Sequence, residues 1–244
     1  MPHTHVRRGF IALPLLAVLI LMLGGAPQAQ AASPPATLAP SEVSPFLDDV
    51  LANVDTYWHE TLAAAGRPAP SVRHDWIAPG GSVATGCGVS AGDSAAFYCP
   101  TDDTIYVGQA FAGSLYNGVA TGLPGQNAGF GRAAGDFAVS FVIAHEYGHD
   151  VQQESGVLAG RQYAMPTELN ADCLAGTWAK WAYVKGRLDS ADIQEGVAAA
   201  QAVGDFELLS PQHHGTPQQR SDALLKGYDS GSPSACNTYV NVMP

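Results

Sequence analysis

Between Glu42 and Ala65, the residues Val43, Phe46, Leu47, Val50, Leu51, Val54, Tyr57 and Trp58 recur every three or four positions, the period of one helix face. The stripe predicts an amphipathic helix whose apolar side is core rather than a membrane or partner face. Two short extended segments follow, over 71–77 and 104–111, set apart by glycine-rich turns. Glycines recur through 113–135, including Gly129-Phe130-Gly131, but no strand precedes them. This stretch is therefore read as a mobile loop on the substrate side and not as a dinucleotide cradle. An apolar run from Phe137 to Ala144 opens a helix expected over 136–155, with Asp136 as N-cap and Gly156 as stop. Further helical patterns run from Thr167 to about Lys185, over 190–203 and over 217–226. Many helices, few short strands and no repeat predict a helix-rich α+β fold in a single domain, 41–244, with a small sheet.

The helix over 136–155 carries His145-Glu146-Tyr147-Gly148-His149, an H-E-x-x-H arrangement. Positions four apart share a helix face, so His145 and His149 can direct ring nitrogens at one ion. Glu146 stands beside that ion, where it can take a proton from a water on the metal and pass it to a leaving amine. This is the chemistry of a zinc hydrolase with one Zn2+ per chain.

Catalytic zinc sites use three protein ligands and leave one position open. Six residues past His149 stands Ser155, not a histidine, and Gln152 replaces the glycine of the three-histidine pattern, which excludes that class. Glu168, at the start of the next helix, is the better third ligand. Asp172, one turn on, shares its face and can accept the outer N–H of a ligand histidine. Ala171, Ala175, Gly176 and Ala179 thin this helix along one side, which would let it approach the motif helix. A competing reading makes Cys173 a ligand, but it lies about 100° around the helix from Asp172.

These residues carry a resemblance. The segments 143–152 and 168–176 look like those of the bacterial neutral zinc metallopeptidase family, as do Phe97-Tyr98-Cys99-Pro100 with Thr104-Ile105-Tyr106-Val107, and 214–220 with 236–239. Asp150 stands where that family commonly has another histidine, and Asn170 where it has glutamine. The resemblance implies a zincin-like peptidase, with His145, His149 and Glu168 as ligands and Glu146 as catalytic acid/base, its small sheet beside the active-site helix. A peptidase also needs a donor for the oxyanion of the tetrahedral intermediate. His214, in a glycine-flanked turn before a helix start at Thr216 and Pro217, is the first candidate; His213, Arg220 and Tyr163 are the others. The substrate expected is a peptide or protein. The alternative is a secreted, non-catalytic metal-binding or interaction module that keeps the fold.

Arg7 and Arg8 precede an apolar segment from Phe10 to Leu23 that Pro14 interrupts, and Ala29-Gln30-Ala31 offers a small-x-small cleavage site. Residues 1–31 are read as a secretory signal peptide and 32–40 as a Pro/Ala-rich linker, giving a secreted protein with no stable membrane span after cleavage; an uncleaved anchor is the other reading. Without that segment the balance is 9 basic against 22 acidic residues, or −13, which argues against nucleic acid as a partner. The four cysteines fit two disulfides in an exported chain. Three pairings are possible; the expected one joins Cys87 to Cys99 and Cys173 to Cys236, the second tying the Glu168 helix to the C-terminus.

Overall fold

The structure, a computed structural model, describes residues 37–130, 133–159 and 162–240. The expected signal peptide and most of the linker lie outside the described residues. No helix among the described residues is long and apolar enough to cross a membrane.

The apolar stripe becomes helix α1 (Pro40–Ala64), which starts two residues before the expected Glu42 because Pro40 sits where a missing N–H is harmless. Val43, Leu47, Val50, Leu51, Val54, Tyr57, Trp58 and Leu62 are buried, so the stripe is core. Five strands follow: β1 (Arg73–Ile77), β2 (Val83–Ala84), β3 (Ser90–Ala91), β4 (Ala96–Cys99) and β5 (Thr104–Gly108). The main sheet has the order β1-β5-β4, with β1 parallel and β4 antiparallel to β5; β2 and β3 form a small antiparallel pair. The strand expected over 104–111 stops at Gly108, where both pairing partners run out, and the chain coils into helix α2 (Gln109–Tyr116). Residues 113–135 are likewise not all loop, since they include the end of α2 and a short helix α3 (Pro124–Asn127); Gly131 lies outside the described residues.

Four helices complete the domain: α4 (Asp136–Glu154), α5 (Met165–Val184), α6 (Ser190–Val203) and α7 (Pro217–Ser230), the last followed by a 3₁₀ turn (Pro233–Thr238). In α4, Gly135 rather than Asp136 is the cap residue, and Asp136 is the first helical residue. The free N–H of Phe137 is taken instead by the Glu195 carboxylate of α6 at 3.2 Å, so the capping acid comes from a distant helix. The stop at Gly156 is as expected, with its φ of 72° in the left-handed region.

The two variable positions of the His145–His149 motif hold α4 in place. Tyr147 is fully buried and donates its hydroxyl to Asp55 of α1 at 2.7 Å. A Cβ on Gly148 would stand 3.2 Å from the Ala171 Cα of α5, so glycine here sets how closely those helices approach. Of the small residues expected to thin α5 toward α4, Ala171 does so, whereas Gly176 faces α7: a Cβ there would overlap the Leu224 carbonyl. Gly227 of α7 lies equally close to the Cys173 carbonyl. This near-contact of backbones carries Arg220 of α7 to the α5 acids. Gly227→Ala is expected to lose about 1–3 kcal/mol or more through overpacking, read as a lower urea midpoint with unchanged slope.

Candidate metal centre

Three donor atoms converge where α4 meets the first turn of α5. His145 Nε2 lies 3.2 Å from His149 Nε2 and 3.2 Å from Glu168 Oε2, and His149 Nε2 lies 3.3 Å from Glu168 Oε1. Tetrahedral zinc, with bonds of about 2.0–2.1 Å, sets its ligand atoms about 3.3–3.4 Å apart. The nitrogen–nitrogen separation and the two nitrogen–oxygen separations, which end on different oxygens of Glu168, are close to that spacing, and a nitrogen–nitrogen–carboxylate set suits the ion; the same three residues form a buried or half-buried group able to hold a metal.

Outer partners fix which ring nitrogen faces inward. The Asp172 carboxylate accepts from His145 Nδ1 at 2.8 Å, so Nε2 is the nitrogen turned toward the site, able to offer its lone pair once an ion displaces its proton. Arg220 in turn donates through Nε and Nη2 to the two Asp172 oxygens, each at 2.8 Å, and its Nη2 lies 3.6 Å from Glu168. His145, Asp172 and Arg220 are buried and Glu168 is half-buried. Burial works against the imidazolium of His145, but Asp172 and Glu168 outweigh it and raise its pKa to about 10. Burial also opposes the charge on Glu168, yet His149 and His145 hold its carboxyl well below the usual range. Without an ion this pocket holds protons, so a cation entering it displaces them.

Glu146 is 7 % exposed and belongs to the same cleft. Its Oε2 accepts the Tyr98 N–H of β4 at 2.8 Å. Gly108 N–H reaches the Ala95 carbonyl at 2.8 Å, so alternation along β4 turns the amides of Ala96 and Tyr98 away from β5 and toward the cleft. The cleft, about 340 Å³, is otherwise walled by apolar side chains, among them Phe97, Phe111, Pro124, Phe141, Val142 and Val203.

Of the four oxyanion candidates, His214 and Arg220 line this cleft, His214 with its side chain about half exposed and Arg220 buried. Asp205, which sequence reading passed over, accepts from the His214 backbone N–H at 2.9 Å and from its Nδ1 at 3.1 Å. His213 is buried against the same carboxylate and lines a separate hollow with Tyr163. Arg220 binds the structural acid Asp172. Gln152 was noted in the sequence only as a departure from another pattern, yet it accepts from His149 Nδ1 at 3.0 Å. Its place three residues past His149 on the same helix, where side chains are neighbours, was the available signal. Asp150, at a position that departs from the family pattern, does not line the cleft; burial and the neighbouring charges of Glu154 and Asp103 raise its pKa. Both expected crosslinks form, Cys87–Cys99 and Cys173–Cys236, and no cysteine is free, so Cys173 is no ligand.

Fold and site together define a helix-rich α+β protein with a His-Glu-x-x-His helix, a glutamate from the following helix and a small sheet alongside. Residues 15–239 match the family described as "putative neutral zinc metallopeptidase", and the chain belongs to that family. It is 30% identical over 220 residues to the Escherichia coli K12 protein YpfJ, covering 81% of this chain and 72% of that one. It is 34% identical over 214 residues to the Mycobacterium tuberculosis protein Rv2575, covering 77% and 67%. Both relatives are named as uncharacterized. No solved structure matches the chain significantly.

Proposed function

We propose that the protein is an exported zinc peptidase that hydrolyses peptide bonds with His145, His149 and Glu168 as ligands and Glu146 as general base and acid. The observation that carries the reading is the convergence of the two histidine Nε2 atoms, 3.2 Å apart, on the two oxygens of Glu168 at 3.2 and 3.3 Å, with the Glu146 carboxylate beside them in an open cleft. Zinc held there supplies a positive charge that polarises a carbonyl and brings the pKa of water to about 7. Glu146, steadied by the Tyr98 N–H, takes the proton of the attacking water and returns it to the departing nitrogen. His214 lines the cleft with its Nδ1 against Asp205 at 3.1 Å, and its Nε2, when it carries a proton, is the donor offered to the developing oxyanion. Ala96 offers both main-chain groups at the free edge of β4, where an extended peptide can add as a strand.

Export is supported by the use of all four cysteines in disulfides, which persist in oxidising compartments. Metal content and peptide-library cleavage, measured on one preparation of the chain from residue 32 onward, test the whole reading. Zinc near one per chain with cleavage supports it; zinc without cleavage favours the non-catalytic binding module, and no zinc removes the basis of both. Because the cleft wall is apolar beyond the ion site, cleavage is expected beside bulky apolar residues; a library profile favouring charged residues there would contradict that wall as the specificity surface.

A further inference from the structure

We propose that Gln152 is a positioning residue that fixes the ring tautomer of His149, and that the Cys173–Cys236 crosslink holds the last acceptor of the same hydrogen-bond chain. The inference rests on the metal site described above but not on hydrolysis.

Gln152 lies three residues beyond His149 on α4, and its Oε1 is 3.0 Å from His149 Nδ1. Its Nε2 donates to the Thr167 carbonyl at 2.7 Å and to Asn170 Oδ1 at 2.9 Å. Asn170 then donates through Nδ2 to the Cys236 carbonyl at 3.0 Å. Gln152 and Asn170 are both fully buried. The oxygen and nitrogen ends of an amide are easily exchanged, so the network has to decide which way each one points. Here two backbone carbonyls decide, because a carbonyl only accepts. Thr167 O requires the nitrogen of Gln152, and Cys236 O requires the nitrogen of Asn170. The Gln152 oxygen is therefore directed at His149, whose Nδ1 has to carry the proton. Nε2 is left with its lone pair facing His145 and Glu168.

Asp172 does the same for His145 with a charge, whereas His149 is set by a neutral relay that adds no second buried carboxylate. The relay ends on a peptide covalently fastened nearby. Cys173, bonded to Cys236, stands three residues after Asn170, so hydrogen bond and crosslink anchor the 3₁₀ turn to one turn of α5. Releasing the crosslink frees the Cys236 carbonyl, and with it the constraint on the Asn170 amide, which leaves Gln152 oriented by the Thr167 carbonyl alone.

Zinc dissociation constants from chelator competition, together with the melting temperature of the metal-free protein, test this on the full chain. Gln152→Met keeps the bulk and removes the acceptor; Gln152→Glu keeps an oxygen for His149 Nδ1 but cannot donate to Thr167. Both variants lose the donated bonds, so both are expected to melt earlier. The Met variant is expected to bind zinc about 10–100-fold more weakly, with affinity largely restored in the Glu variant. Equal loss of affinity in the two overturns the positioning role. If Gln152→Met does not fold, Asn170→Ala carries the test: it removes one of the two acceptors of the Gln152 nitrogen and leaves the Thr167 carbonyl alone to orient the amide, so a smaller loss of affinity is expected, and unchanged affinity there overturns the relay beyond Gln152. Paired Cys173→Ala and Cys236→Ala substitutions are expected to weaken zinc binding in the same direction, and an unchanged dissociation constant overturns the part given to the crosslink. Wild-type protein that binds no zinc overturns both this inference and the metal site.

Discussion

Glu146→Gln is expected to bind zinc as wild type does and to lose about 10²–10⁴-fold in kcat/KM, the usual contribution of a positioned general acid or base. The substitution is nearly isosteric. Its amide oxygen can still accept the Tyr98 N–H that holds Glu146 at 2.8 Å, so the side chain should keep its place against β4. It removes only the capacity to take a proton. The three ligand atoms belong to other residues and are untouched. Chelator competition and cleavage of a library-derived peptide, measured on the same preparations, separate the two properties. Equal turnover by variant and wild type would sink the mechanism while leaving the metal site standing.

Arg220→Leu is expected to destabilise the metal-free protein by about 3–5 kcal/mol, the usual consequence of removing one partner from a buried ion pair. Arg220 is 4 % exposed, and its guanidinium is the cation that neutralises Asp172, itself fully buried. At about 2–4 °C per kcal/mol for a domain of this size, the melting temperature should fall by roughly 6–20 °C. Zinc brings its own positive charge beside Glu168, so the fall should be smaller in the loaded protein. A variant that melts with wild type, with or without metal, would show that the pair contributes nothing to folding. Arg220 also explains why the last helix matters to a site built on two others: the near-contact of Gly227 with α5 brings its guanidinium to the acids.

Much of this was legible in local spacing. The period of α1, the four-residue interval between His145 and His149, and the equal interval from Glu168 to Asp172 are short-range facts, and short-range geometry is what a helix preserves. The place of Asp172 beside the candidate third ligand Glu168 followed from that interval. The boundaries that differed were decided by other parts of the chain. β5 ends where its partners β1 and β4 end, and α4 is capped by an acid of α6, neither of which is written in the segment itself.

The sequence by itself gave rise to the helices, a candidate His-His-Glu set and a favoured one of three cysteine pairings, because each draws on periodicity or on a few chemically distinctive residues. Only the tertiary structure decided what holds those ligands in their working form. Gln152 with Asn170, Asp172 with Arg220, Asp205 with His214 and Glu146 with the Tyr98 N–H join residues from 9 to 48 positions apart. The physical reason is that a buried polar group is stable only with a partner, and that partner is supplied by whichever element packing brings alongside.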